Sequence, residues 1–175
     1  MKAILIYNSQ TGFTKRYAEW IGEASGCECY DFKQGSKKNL SDYDTIIFGG
    51  WYMAGGVTKI AWLKKQLSSL ISNGKKVIVY AVGASPADGP DVKTAMERNF
   101  SGSEWSGVKS FYCPGGLNYE KMNGPSKLGM KMFVKMLSSK KDASETEKQM
   151  AEMISHSYDI SDKKYIEPIL AEIQA

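Results

Sequence analysis

Ala3-Ile4-Leu5-Ile6-Tyr7-Asn8-Ser9-Gln10-Thr11-Gly12-Phe13-Thr14 is the stretch on which the fold turns. Its first five residues form an apolar run of strand length, and a helical pattern opens near Phe13 after the hydroxyl-rich segment. Strand, polar turn and helix start in that order describe a phosphate cradle. The hydroxyls of Ser9, Thr11 and Thr14 can donate to phosphate oxygens without bringing charge. Backbone N–H groups around Gly12 and Phe13, unpaired at a helix N-terminus, can point at the same anion. Gly12 lets the backbone come close where a Cβ would obstruct it. Each hydrogen bond to a charged group is worth about 1.5–3 kcal/mol, so several convergent donors hold a phosphate without a salt bridge. A capped βα turn is the ordinary alternative, because Ser and Thr are common N-caps.

Working outward, the chain alternates strand and helix. Strands are expected at 2–7, 27–31, 45–49, 76–82 and 108–113, with helices beginning near Phe13, Val57 and Pro90. The third and fourth strands are continuous apolar runs, as when helices cover both faces of a sheet. Right-handed βαβ crossovers then give an α/β, three-layer sandwich. Its five-stranded parallel sheet takes the order 2-1-3-4-5, with the ligand at the carboxyl ends of the strands. Competing α/β folds fail at defined positions. A dinucleotide-binding domain wants G-x-G-x-x-G where Asn8-Ser9-Gln10-Thr11-Gly12 stands, and no G-x-x-x-x-G-K-[ST] occurs. A phospho-receiver needs carboxylates where Tyr7-Asn8 and Phe48-Gly49 stand.

Ser9-x-Thr11-Gly12-x-Thr14 after a first strand resembles the FMN-phosphate loop of the flavodoxin family. The segments 41–50 and 75–83 resemble that family's third and fourth strands, each running into a flavin loop. Phe111-Tyr112-Cys113-Pro114-Gly115-Gly116-Leu117 and Asp162-Lys163-Lys164-Tyr165-Ile166-Glu167-Pro168-Ile169 resemble the flavodoxin-domain proteins related to menaquinone-dependent protoporphyrinogen oxidase. The resemblance implies a flavodoxin-like fold and FMN as cofactor. Ser9, Gln10, Thr11, Gly12, Phe13 and Thr14 would hold its phosphate. Gly50, Trp51, Tyr52, Met53, Ala54, Gly55 and Gly56 would form the first flavin loop, with Trp51 or Tyr52 stacking on the ring. Gly50, Gly55 and Gly56 are candidates for the peptide that, in the family, reorients its carbonyl toward the flavin N5. Gly83, Ala84, Ser85 and Asp88 would run along the ring's edge. Small flavodoxins place a tyrosine in this second loop, but 83–90 contains no aromatic residue. One flavin face would be open to a planar substrate.

An insertion at about 117–160 separates the chain from a minimal carrier. From Lys121 to Lys141 it carries Lys121, Lys127, Lys131, Lys135, Lys140 and Lys141 with no acidic residue. Leu128, Met132, Met136 and Leu137 fall near helical spacing among Met130, Phe133 and Val134. Such a helix can lie on an anionic membrane or cover a planar apolar ligand; a core-facing stripe with a solvated lysine face is the plainer expectation. Ser144-Glu145-Thr146-Glu147 could start another helix, and Pro168 starts or bends the last one. Lys15 and Arg16 either reinforce the anion site or stand on an exposed helix face.

The 175 residues, 42% hydrophobic, suit one undivided domain spanning 1–175. No apolar run approaches a membrane span of ~20 residues. Met1-Lys2 leading directly into a strand leaves no room for a signal peptide, so a cytoplasmic location is expected. Cys27, Cys29 and Cys113 are too few for a disulfide framework or a metal set and are expected as reduced, buried thiols. The net charge of +4 is opposite to the acidic balance general among electron-shuttling flavodoxins. It suits an anionic membrane, an acidic redox partner or a carboxylate-bearing porphyrin. Nucleic acid is not expected, because stacking aromatics are not interspersed with the lysines. Two classes remain: an FMN oxidoreductase acting between a planar apolar substrate and a quinone-like acceptor, and a one-electron carrier with no small-molecule substrate. A non-redox FMN-binding module is a third.

Overall fold

Three apolar runs make the centre of the sheet: β1 (Ala3–Tyr7), β3 (Thr45–Met53) and β5 (Lys76–Gly83). In the computed structural model, which describes residues 2–175, their central side chains are wholly buried. Alternation sends them to two layers. Leu5, Ile47, Ile78 and Tyr80 pack with α1 (Phe13–Ser25) and α8 (Glu167–Gln174). Ile4, Ile6, Ile46, Phe48, Val77 and Val79 pack on the other face with α3 (Ile60–Lys64), α4 (Leu67–Ser72) and Phe32 of the short α2 (Phe32–Gly35). The edges are β2 (Glu28–Asp31) and β6 (Val108–Pro114), and α5 (Pro90–Phe100) connects β5 to β6. The five strands are parallel in the order β2-β1-β3-β5-β6. That is the expected 2-1-3-4-5 arrangement of a flavodoxin-like fold, with one short hairpin strand added.

That hairpin corrects the sequence reading. The third strand runs on to Met53 instead of ending at Gly49, because Gly50 and Trp51 pair with Ala81 and Val82 of β5. Tyr52 and Met53 then pair antiparallel with Val57 and Gly56 of β4 (Gly56–Val57). Ala54 and Gly55, at φ +50° and +82°, make a two-residue turn of the kind that matches strand twist. The segment expected as a first flavin loop is therefore a β-hairpin. The next helix begins at Ile60, not near Val57, after Lys59 reverses the chain at φ +63°.

Beyond β6 the insertion folds around its own small core. β7 (Gly116–Leu117) pairs antiparallel with β8 (Tyr158–Asp159), and between them lie α6 (Gly124–Ser138) and α7 (Glu145–Met153). Leu117, Tyr119 and Ile154 are buried there against Met130, Val134, Leu137, Met150 and Met153. Ser144 and Glu147 close a capping box at the start of α7, and Pro168 lies in the first turn of α8, as the sequence implied. The core-facing stripe on α6 shares only Leu137 with the one expected. Met130, Val134 and Leu137 turn inward, whereas Leu128, Met132 and Met136 stay 61%, 64% and 59% exposed and Phe133 41%. The two sets lie on different sides of a 3.6-residue helix, and only one side meets α7.

The thiols also depart from expectation. Cys113 is buried, but Cys27 is half-buried and Cys29 exposed, because they lie at and just before the sheet's edge strand β2. No helix among the described residues is long and apolar enough to cross a membrane.

Candidate functional site

The register of the sheet brings Tyr7, the last residue of β1, beside Gly49 within β3 and Tyr80 within β5. Gly49 has no side chain because the Tyr80 ring lies where its Cβ would be. Fully buried, Tyr80 reaches across to donate its hydroxyl to the backbone carbonyl of Thr14, 3.1 Å away. The sheet thus fixes the first turn of α1. Burial drives the Tyr80 phenol well above its ordinary pKa, so it remains a donor at any physiological pH.

Gly12 is the N-cap of α1 at φ +105°, a conformation that excludes most side chains, and no side-chain cap closes this helix end. The orphan N–H groups of the first turn therefore face outward beside the Ser9–Thr14 loop. Ser9 Oγ accepts the Gly12 N–H at 3.2 Å, folding the loop on itself. Thr14 is 1% exposed, directly behind it. Lys121 Nζ stands 3.9 Å from where a Gly12 Cβ would be, bringing a cation of the insertion to the cradle. An open pocket of about 460 Å³ joins Thr11, Gly12 and Lys15 to Lys121, Ser157 and Tyr158. The insertion thus forms one wall of the Ser9–Thr14 turn, a juxtaposition that no local sequence pattern announces.

Lys15 and Arg16 resolve differently. Lys15 pairs along the helix with Glu19, 3.5 Å away. Arg16 is tied to the insertion's return strand, bonding Asp159 and Ser161 Oγ. Burial opposes ionisation of Asp159, but hydrogen bonds from Arg16 and Ser161 hold its carboxyl below the usual range. A depressed folded pKa means that the tie stabilises the fold above about pH 4 and is lost as pH falls through the folded value. Asp159→Asn should lower the thermal midpoint at pH 7 by at most roughly 2–4 °C, since a half-exposed pair contributes about 1 kcal/mol or less. Melting curves taken at successively lower pH should show the gap between the two proteins narrow below about pH 4 and close only once the pH is under the depressed folded value.

The hairpin residues divide between the two faces of the sheet. Trp51 packs on the core cluster of Phe13 and Val82, and its indole Nε1 is buried with no hydrogen-bond partner. Tyr52 projects oppositely, bonding Met96 Sδ at 3.3 Å with its ring centroid 6.2 Å from that of Tyr112. Burial pushes the Tyr52 phenol up to about 12. The two aromatics therefore cannot both lie on one side of a flat ring bound at this end of the sheet. Met53 is exposed at the hairpin end, and Asn99 Nδ2 of α5 donates to the Gly55 carbonyl at 3.0 Å. Thr58, not singled out from sequence, is the joint. Its Oγ1 accepts from Asn8 Nδ2 at 2.9 Å and from the Trp51 N–H at 3.3 Å, locking the hairpin to the Ser9–Thr14 loop.

The second loop lacks an aromatic of its own but is held by two from elsewhere. Tyr112 donates to the Ser85 carbonyl and Tyr158 to the Ala84 carbonyl, each at 2.7 Å. Ser85 Oγ donates to Asp91 at 2.7 Å, and Asp88 lies exposed at the loop tip. Gly83 continues β5, with the Tyr112 ring filling its Cβ position. All three predicted segments therefore meet at one end of the sheet, with the insertion supplying Lys121, Tyr158 and Asp159.

Three solved structures are similar to this chain. A WrbA-like flavodoxin of Agrobacterium tumefaciens is 17% identical over 72% of this chain and 88% of its own, with a TM-score of 0.48. A flavoprotein of Lactobacillus acidophilus, solved in complex with FMN, is 17% identical over 65% and 91%, with a TM-score of 0.45. Flavodoxin 1 of Bacillus cereus is 19% identical over 69% and 89%, with a TM-score of 0.41. No curated protein matches the sequence. The sequence model for the flavodoxin domain matches residues 4–144, which takes in the phosphate-type turn, both candidate loops and α6; the chain belongs to the flavodoxin domain family.

Proposed function

We propose that this chain binds FMN and works as an oxidoreductase between a planar apolar substrate, porphyrin-like or quinone-like, and a quinone-like acceptor at an anionic membrane surface. The residues fit the cofactor: a helix end without a side-chain cap, a Gly12 whose φ of +105° disfavours a side chain, and an orphaned indole donor at Trp51 Nε1. Bound there, the flavin supplies the electron-accepting and electron-donating chemistry. Ser9, Thr11 and Thr14 offer hydroxyls to its phosphate, the unpaired N–H groups of the first turn of α1 add neutral donors, and Lys121 adds charge. Trp51 Nε1 offers a hydrogen bond to a ring heteroatom. The segments 50–56 and 83–88 border the ring.

One observation favours this reading over a simple carrier. α6 holds Leu128, Met132, Phe133 and Met136 out to solvent beside Lys127, Lys131 and Lys135. A bare apolar stripe next to a lysine row suits a surface where apolar quinones dissolve among anionic lipids. The resemblance of the segments 111–117 and 162–169 to proteins related to menaquinone-dependent protoporphyrinogen oxidase points the same way.

Thr14→Val removes one donor and should weaken FMN binding roughly 10-fold, in line with about 1.5 kcal/mol for a bond to a charged group. Quenching of FMN fluorescence on titration measures it, and unchanged affinity would contradict the cradle. The reaction itself is tested by photoreducing the FMN-loaded protein without oxygen and following reoxidation by a naphthoquinone held in anionic vesicles, against cytochrome c in solution. Faster, saturable oxidation by the quinone supports the oxidoreductase. Preference for cytochrome c supports the one-electron carrier, and oxidation by neither supports a non-redox module. Leu128→Glu with Met132→Glu should slow only the vesicle reaction and leave FMN affinity unchanged.

A further inference from the structure

The Cys27–Cys29 pair lies apart from the Ser9–Thr14 turn and from the 50–56 and 83–88 segments, at the margin of the core cluster on which Cys27 packs. The two sulfurs are 3.8 Å apart on the outer edge of the sheet, with Cys27 half-buried and Cys29 exposed. Cys29 is seated against α1: its Sγ approaches the Ala18 carbonyl at 3.5 Å, and a Cβ on Gly22 would come within 2.6 Å of it. The helix leaves a notch that only glycine provides. On the other side, Ser25 Oγ accepts the Cys27 N–H at 3.3 Å and so fixes the backbone at the first thiol. Among the described residues no cluster of three or more metal-ligating side chains forms, so the pair does not belong to a metal set. β2 pairs with β1 alone, and its outer edge gives a reagent access.

We propose that Cys27 and Cys29 form a redox-active dithiol that exchanges with low-molecular-weight disulfides, Cys27 as the attacking thiol and Cys29 as the resolving one. The hydrogen bond from Cys29 leads in drawing the Cys27 thiol down to about 7, against the effect of burial and helped by Ser25. Cys27 is then more thiolate at neutral pH than an ordinary cysteine, which is only a few per cent ionised. The same bond pushes the Cys29 thiol up, keeping it protonated until it is needed.

In the first step the Cys27 thiolate attacks one sulfur of R–S–S–R. A Cys27–S–S–R bond forms, the R–S–S–R bond breaks, and RS⁻ leaves and takes a proton. In the second, Cys29 gives up its proton to base and attacks the Cys27 sulfur, forming Cys27–S–S–Cys29 and expelling the other RS⁻, which is protonated in turn. The protein loses two electrons and two protons, and one disulfide becomes two thiols. Closing the sulfurs from 3.8 Å to a bond of about 2.05 Å draws Cys29 out of its notch on α1. An exposed disulfide of this kind is readily reduced, so the change is reversible.

The test uses the full chain, reduced and desalted, exposed to oxidised glutathione and followed by intact mass and tryptic mapping. Both cysteines fall in one peptide, from Tyr17 to Lys33. The wild type is expected to lose the mass of two hydrogens within that peptide and to regain it with a reductant. Cys29→Ser should accumulate the glutathione adduct on Cys27, and Cys27→Ser should react at least 10-fold more slowly than wild type. A wild type that stops at an adduct or does not react, a Cys27→Ser variant as fast as wild type, or reaction centred on Cys113 would each overturn the proposal. Unfolding of the two variants is monitored by far-UV circular dichroism. Should either variant unfold, the wild-type mass and mapping result decides alone.

Discussion

Gly116→Ala is expected to lower stability by about 3 kcal/mol, from backbone strain and overpacking together, and so to drop the thermal midpoint by roughly 6–12 °C. Gly116 has φ +135° and pairs with Asp159 across the β7–β8 ladder. A Cβ there would run into the Tyr158 carbonyl, a backbone group that cannot swing aside. The ladder must open, and with it go the Tyr158 bond to Ala84 and the Arg16 tie to Asp159. Gly124→Ala is the control within the same insertion: it meets nothing within 4 Å, and its φ is not in the left-handed region. Circular dichroism melts of both variants decide the matter. Equal midpoints would mean that the β7–β8 pair does not fasten the insertion to the sheet.

The second large effect is on the cofactor. On the proposed reading, Gly12→Val should cut FMN affinity by on the order of 100-fold, about 2.7 kcal/mol. Space is not the obstacle in the free protein, since Lys121 Nζ lies at an ordinary 3.9 Å from the added Cβ. Conformation is: valine resists φ +105°, and the turn that relieves the strain re-aims the first N–H groups of α1. The added methyl groups also occupy the approach to those groups. Gly26→Val, at φ +71° on the other end of the same helix, carries comparable strain with nothing within 4 Å. It should lose stability and keep FMN binding. Equal fluorescence-titration affinities for the wild type and Gly12→Val would remove the phosphate from this turn.

Much of the site was legible because local chemistry announces it. Ser9, Thr11 and Thr14 around a glycine between a strand and a helix need no tertiary information to suggest an anion. The apolar runs at 45–49 and 76–82 likewise revealed a sheet covered on both faces. The hairpin at 50–57 was hidden, because Gly-Gly and Gly-Gly flanking three large residues look like a loop. They become strand only when Ala81 and Val82 offer edges to pair with. Thr58 carried no signal either: a single threonine acquires a role only when Asn8 and Trp51 converge on its oxygen.

The insertion marks the boundary most sharply. Its lysines and methionines predicted a basic amphipathic helix, and such a helix is there, yet which apolar side was buried depended on where α7 docked. Periodicity specifies that a stripe exists but not which neighbour covers it. The sequence by itself determined the alternation of strands and helices, the parallel sheet and the hydroxyl-rich turn at Ser9–Thr14, because these rest on contacts within a few residues and on side-chain period. Only the tertiary structure decided that Lys121, Tyr158 and Asp159 wall that turn, that Trp51 and Tyr52 part to opposite faces, and that Cys27 and Cys29 stand at an open edge. Those outcomes depend on contacts between residues as much as 143 positions apart, fixed by how layers pack rather than by any local pattern.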